Sequence, residues 1–339
     1  MCTNIGAAGR SVGSSGKVYI GSVSDDPYDI RTRVIVRRPK DGYAYIGTDL
    51  VPLDAGGSAK EYAASVGGAP TRGLNEKGLA FTWALAFERT DTKPPEGALK
   101  PHEAWDLVLK RCGTVGEALE VLESLPRDFG ASAMLADSQG NLALVEAGRH
   151  EFAVPQLLSA ANGGTAVNVN CWIAMQAEHG NPMANMDSPT ASNQTRYSQA
   201  VSRMASTDGH VDFASMKSIL SDHAHRGRFA GENTMVRGHG FSICNHGSMH
   251  RSKFDAQDPP WGSVSAEIID PVDGVFWYTY GWPCGDAPEY GDQMLQDRSW
   301  GGFVGFPLDG LAEGAYTTLT GEMTHLAAQH FDRLITCKQ

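Results

Sequence analysis

No stretch of about 18 apolar residues occurs anywhere in the 339 residues, so no membrane-spanning helix is expected. The N-terminus has no basic segment followed by an apolar one, and we expect no secretory leader and a cytoplasmic protein. Lys and Arg are scarce, 28 against 39 Asp and Glu, and never run beyond a pair such as Arg37-Arg38. With a formal charge of −11, neither nucleic acid nor an anionic membrane is an expected partner. Cysteine is sparse too: Cys2, Cys112, Cys171, Cys244, Cys284 and Cys337 lie far apart without paired spacing, which reads as reduced thiols rather than a disulfide framework. There is no internal repeat, low-complexity linker or break in composition, so residues 1–339 read as a single domain. Asn193-Gln194-Thr195 matches a glycosylation acceptor, but without a secretion signal it reads as chance.

What is present is strand and helix in blocks. Lys17–Gly21 and Arg33–Arg37 are short β-branched or aromatic runs, and Gly73–Gly78 is a turn leading into the apolar run Leu79–Phe87. Helical spacing follows over His102–Cys112, and Thr114-Val-Gly-Glu117 is a capping box opening a second helix. Ser132–Ala136, the turn Asp137–Gly140 and Asn141–Glu146 form a hairpin signal. Helices are predicted near Gln194–Met204 and Asp212–His223, then strands at Gly240–Cys244, Ser263–Ile269 and Gly274–Tyr280, and an amphipathic helix over Thr320–Thr336. This order fits an α+β fold of two antiparallel sheets covered by helices on both outer sides.

Cys2 is the most informative single residue. Removing Met1 would leave a thiol and a free α-amine on one residue, a nucleophile carrying its own base. An α-amine has an unperturbed pKa of ~7.7–8.0 against ~8.5 for a cysteine thiol, so near neutral pH the amine can take the thiol proton directly or through one water. From position alone an incidental second-residue cysteine is the commoner reading.

Rival constellations are weaker. Histidines cluster between His223 and His250, including His223-Ala-His225 and His246-Gly-Ser-Met-His250, and as zinc ligands they would sit beside Asp222 or Asp255. Their loop-like composition and the lack of a His-Glu-x-x-His motif make them loop and rim residues, and no metal or cofactor is expected. Cys171 or Cys244 could pair with a distant histidine in papain fashion, but neither sits in a local signature. Trp261, Trp277, Trp282 and Trp300, with Tyr278 and Tyr280, read as sheet core or as an apolar acyl pocket.

Cys2-Thr3 followed by Lys17-Val-Tyr-Ile-Gly-Ser-Val-Ser-Asp25 resembles the opening of the N-terminal nucleophile (Ntn) hydrolases that use cysteine. Four further segments, in order, resemble one branch of them: Gly73–Leu79, Leu135–Glu146, Val167–Trp172 with Arg196-Tyr197 after it, and Ser242–His246 leading to Val275–Gly281. That branch is the acyl-coenzyme A:6-aminopenicillanic acid acyltransferase-like proteins, relatives of penicillin V acylases and bile salt hydrolases. The resemblance spans roughly residues 2 to 285 and implies the αββα Ntn sandwich.

It implies Cys2 as nucleophile and Asp25 as the carboxylate holding the nucleophile's amine and thiol in register, with Asp26 the competitor. It also implies Asn170 as the oxyanion donor, with Asn168 the competitor, and Arg196 as a fixed cation nearby. Two positions depart from the bile salt hydrolases: Ser22 stands where they carry an arginine, and Leu85 where they carry an asparagine whose backbone N–H serves the oxyanion. Any residue can supply that N–H, so Leu85 remains the backbone candidate, whereas Ser22 argues against bile salts. The implied activity is hydrolysis of small linear amides through an S-acyl enzyme. The alternatives are acyl transfer to an amine, or a non-catalytic binding protein on the same fold. The expected partner is a neutral or cationic amide with an apolar acyl or aryl part, and a homo-oligomer is compatible with the sequence.

Overall fold

Alternating strands build two antiparallel sheets. The computed structural model describes residues 2–13, 16–27, 30–52, 70–86, 93–175, 188–223, 242–245, 261–285 and 300–336. Its strands are β1 (Cys2–Ala8), β2 (Val18–Pro27), β3 (Ile30–Arg37), β4 (Tyr45–Pro52), β5 (Pro70–Asn75), β6 (Ala80–Leu85), β7 (Ala131–Ala136), β8 (Leu142–Ala147), β9 (Phe152–Leu158), β10 (Gly164–Val169), β11 (Trp261–Asp270), β12 (Val275–Tyr280), β13 (Val304–Pro307), β14 (Gly314–Ala315) and β15 (Ile335–Thr336). One sheet runs β10-β1-β2-β11-β12-β13-β15, the other β14-β3-β4-β5-β6-β7-β8-β9.

Period-two burial assigns the faces. Val18 and Ile20 of β2 join Val34, Ile46, Leu74, Met134 and Phe276 in the core between the sheets. Their odd-numbered neighbours Tyr19 and Val23 turn the other way, onto α3 (Ser188–Ala205) and α4 (Phe213–Leu220), with Met204, Met216 and Ile219. The second sheet's outer face packs on α1 (Pro101–Arg111) and α2 (Val115–Ser124), where Phe81 stacks on Trp105 at 4.7 Å between centroids. Burying such an aromatic stabilises by about 1.5–3 kcal/mol. The αββα layering expected from the sequence is present.

Local signals set the helix ends. Pro101 opens α1, and Thr114 caps α2 by accepting from the Glu117 N–H at 3.2 Å. Glu117 returns its carboxylate to the Gly113 N–H at 2.6 Å rather than to Thr114. Asp212 caps α4, accepting from the Ser215 N–H at 2.8 Å, and that helix ends at Leu220, three residues short of the expected His223.

Two expected elements differ. Ser242–Cys244 is a run of bends, because the Cys244 N–H goes to the Asp222 carbonyl instead of to a neighbouring strand. The C-terminal segment is not one helix. Thr318 and Thr320 hydrogen-bond Glu322 in a turn, and Thr324 then caps a short α5 (His325–Gln329) that buries only Ala327. Ile335 and Thr336 pair with β13 instead of continuing a helix. Among the described residues, no helix is long and apolar enough to cross a membrane.

Candidate active site

β1 lies between β10 and β2, so its first residue is enclosed on both sides: Cys2 pairs with Ser24, and Thr3 with Val23 and Val169. Asn170 follows the last residue of β10 and meets the start of β1. The Cys2 N–H donates to Asn170 Oδ1 at 2.5 Å, while Asn170 Nδ2 donates to the Leu85 carbonyl at 2.8 Å. These partners fix which end of the amide is which. The second N–H of Nδ2 makes no hydrogen bond among the described residues. Asn168, on the same face one pleat earlier, pairs with Asn4 and donates to Ser132 Oγ at 2.8 Å, away from Cys2.

Arg196 reaches the same residue from α3, on the outer side. Its Nη1 donates to the Cys2 carbonyl and to Thr3 Oγ1 at 2.9 Å, and its Nη2 to Asn193 Oδ1 at 2.7 Å and Asn170 Oδ1 at 3.3 Å. Asn193 closes the loop by donating to the Asn170 carbonyl at 3.0 Å. The glycosylation-like asparagine is thus a buried strut. Burial lowers the Arg196 pKa, with Asp25 and Cys2 opposing the fall.

Asp25 and Asp26 are both buried and point to opposite faces of β2. Asp25 accepts from Ser263 Oγ at 2.7 Å and lies in the field of Arg196. Burial pushes its carboxyl up to about 6, with Arg196 and Ser263 pulling the other way. Asp26 acts on the inner face, where its charge raises the pKa values of Arg72 and Glu267.

Sequence reasoning missed Arg72. It sits on β5 of the opposite sheet, fully buried, and crosses the core: Nη2 donates to Cys2 Sγ at 3.2 Å and Nε to Ser22 Oγ at 3.0 Å. Glu267 lies 3.7 Å from Nε, its own carboxylate held by Thr48 Oγ1 at 2.9 Å and Ser265 Oγ at 2.8 Å. Burial works against the Arg72 charge, but the Cys2 sulfur and Glu267 outweigh it and raise its pKa. A guanidinium therefore stands at Ser22, delivered from another strand. The signal was in the sequence, as an arginine inside the otherwise uncharged Pro70–Asn75, but its partners come from three other strands.

Two bulges make this arrangement fit. In β11 the register slips between Ser263 and Ser265, so one serine serves Asp25 on the outer face and the other serves Glu267 on the inner face. In the β4–β5 pairing it slips between Thr48 and Asp49, beside Arg72. Leu85 touches the site through its carbonyl, which accepts from Asn170 Nδ2. Of the rivals, Cys171 is a buried thiol pushed up to about 11 by burial. His225, His246, His250, Asp255 and Cys337 lie outside the described residues. The aromatics Tyr278 and Trp300 pack edge to face at 5.5 Å, as sheet core.

The family match, together with helix-covered antiparallel sheets that hold a cysteine at the head of a central strand, makes the protein an Ntn enzyme of the amidohydrolase and acyltransferase class. The sequence model of the acyl-coenzyme A:6-aminopenicillanic acid acyl-transferases matches residues 28–228, and the chain belongs to that family. The match includes Arg72, Asn170 and Arg196 and begins after Cys2 and Asp25. Among solved structures, a mutant of the conjugated bile acid hydrolase from Clostridium perfringens aligns with a TM-score of 0.53 at 13% identity, covering 96% of this chain and 99% of that one. A second variant of that hydrolase gives 0.51 at 12%, with 96% and 99% covered. Penicillin V acylase from Agrobacterium tumefaciens aligns at 0.44 and 14%, with 82% of each chain covered. The bile acid hydrolase alignments speak to the fold alone. No curated protein sequence matches.

Proposed function

We propose that the protein hydrolyses small linear amides by passing their acyl group through Cys2. The observation that carries this reading is the clamping of one residue at three atoms: Asn170 on the Cys2 nitrogen, Arg72 on the sulfur and Arg196 on the carbonyl. Burying Arg72, Arg196, Asp25, Asp26 and Glu267 around a single thiol costs several kcal/mol per ion before pairing, which a binding scaffold has no need to meet.

With Met1 removed, the α-amine takes the thiol proton and the sulfur attacks the amide carbonyl, with Arg72 favouring negative charge on sulfur as the proton leaves. The Asn170 N–H not engaged with Leu85 donates to the oxyanion. As the intermediate collapses, the C–N bond breaks and the ammonium returns its proton to the leaving nitrogen, giving a thioester on Cys2. Water then attacks that carbonyl and releases the acid. Asp25 orients the amine from the outer face.

Family membership supports a second reading in which an amine, not water, takes the acyl group. The two share every residue named. We place the enzyme in a reducing cytoplasm, consistent with free thiols at Cys2, Cys112, Cys171, Cys244 and Cys284. We expect a neutral or cationic amide with an apolar acyl or aryl part.

The test is a panel of N-acyl compounds, including penicillin V, acyl-amino acids and acylated amines, read as released amine and as acyl-Cys2 by intact mass. Processed protein that gains one acyl adduct at Cys2 and turns it over supports the reading. A chain that keeps Met1 and gains no adduct makes it a binding protein. Saturation by acyl-coenzyme A thioesters, with transfer to an added amine faster than hydrolysis, makes it an acyltransferase.

A further inference from the structure

Outside this site, three soft ligands from separate parts of the chain converge. The ring nitrogen of His223 and the Sγ atoms of Cys244 and Cys284 all lie within 4.8 Å of one another. We propose that they form a site for a soft divalent metal ion, zinc above others.

The backbone builds the cluster. The Cys244 N–H donates to the Asp222 carbonyl at 3.1 Å, setting it beside His223 just past the end of α4. Cys284 lies in a turn closed by the Gly285 N–H on the Trp282 carbonyl at 3.1 Å. Cys244 packs on Val264 and Trp282 with Cys284 alongside. Around tetrahedral zinc, Zn–S of ~2.3 Å and Zn–N of ~2.0 Å put the ligand atoms about 3.5–3.8 Å apart, a small contraction from the spacing here.

The donor set selects the metal. Two thiols and an imidazole suit zinc, whereas magnesium and calcium need oxygen ligands. Two thiolates and a dication are neutral together, so the ion relieves the cost of charging Cys244, which is buried. Zinc with three protein ligands takes water as its fourth. A way in exists, since His223 and Cys284, with Lys217, Ser221 and Trp300, line a depression of about 610 Å³.

The ion would act on the structure around Cys2 without touching it. Asn245, next to Cys244, exchanges hydrogen bonds with Ser263: the Ser263 N–H donates to the Asn245 carbonyl at 2.7 Å and the Asn245 N–H to Ser263 Oγ at 2.9 Å. Ser263 Oγ in turn carries Asp25. Metal at Cys244 pins the segment that positions Asp25, and its binding is independent of what Cys2 catalyses.

The experiment is metal analysis of the full chain, reduced and reconstituted with Zn²⁺ or Co²⁺ and freed of excess. We expect one equivalent, with Co²⁺ giving thiolate charge-transfer absorption and the visible bands of a tetrahedral ion. Cys284→Ser and His223→Gln should each weaken binding at least tenfold, while Cys2→Ala keeps it. Less than a tenth of an equivalent in the reduced wild type overturns the proposal. So does binding unchanged in both site variants, or binding lost in Cys2→Ala. If a site variant fails to fold, the cobalt spectrum of the wild type decides alone, because thiolate charge transfer is absent without sulfur ligands.

Discussion

Arg72 and Cys2 face each other across the two sheets, the guanidinium of one donating to the sulfur of the other at 3.2 Å. Arg72 is anchored at Ser22 and Glu267, so the cation does not have to be organised when the thiol loses its proton. Hydrogen bonds to charged groups contribute ~1.5–3 kcal/mol, which sets the scale of its removal.

Alkylation of Cys2 by iodoacetamide should therefore slow roughly tenfold or more in Arg72→Met/Glu267→Gln, with kcat falling at least as far. The double change removes both buried charges, so the fold is not left with one unpaired. Arg72→Lys should rescue poorly, since an ammonium cannot bridge Ser22 and the sulfur as a fork does. An alkylation rate equal to wild type would make Arg72 a core strut only.

Cys2→Ala is expected to abolish turnover with the melting temperature little changed, and Cys2→Ser to keep a trace, because a hydroxyl is the weaker nucleophile. Full amidase activity in highly purified Cys2→Ala protein would sink the assignment.

The two asparagines separate cleanly. Asn170→Ala should lower kcat by roughly 10²–10³ with KM changed far less. Asn168→Ala should instead cost ~1 kcal/mol of stability through its lost bond to Ser132, with kcat near normal. The reverse pattern would move the oxyanion role to Asn168.

For Asp25, folding raises the carboxyl to about 6 from an ordinary value near ~3.9. The folded state then holds the proton more tightly, so this group's contribution to stability falls as pH rises from about 4 to about 6 and is level above that. Asp25→Asn should be more stable than wild type at pH 7.5, by about 2–3 kcal/mol at most, with the gap closing toward pH 4. It should also be slower, with Met1 still removed. Denaturation midpoints across pH 5–8 check the first point; a gap that widens on acidification contradicts it. If Asp26→Asn slows the enzyme and Asp25→Asn does not, the orienting carboxylate is Asp26.

Gly47 offers a test at a distance. A Cβ there would lie 2.3 Å from the Arg72 carbonyl and 2.6 Å from Pro70 Cβ. Gly47→Ala should cost ~1–3 kcal/mol and, by shifting β5, reduce kcat more than it raises KM. A variant as stable and fast as wild type would show that β5 yields there without moving Arg72.

The sequence by itself determined the layers and singled out Cys2. Alternating strands and helical pairs encode burial locally, and hairpin turns such as Asp137–Gly140 need only neighbouring residues, so those elements appeared where expected. That Cys2, Asn170 and Arg196 come together was legible because short motifs carry them. The C-terminal helix was not, because apolar spacing does not reveal that threonines 318, 320 and 324 take the backbone into turns and a late cap. Only the tertiary structure decided Arg72, the split duties of Ser263 and Ser265, and the meeting of His223 with Cys244 and Cys284. Each depends on sheet register or on chain crossing from one sheet to the other. A slip of one residue turns a side chain to the opposite face, and no local pattern records it.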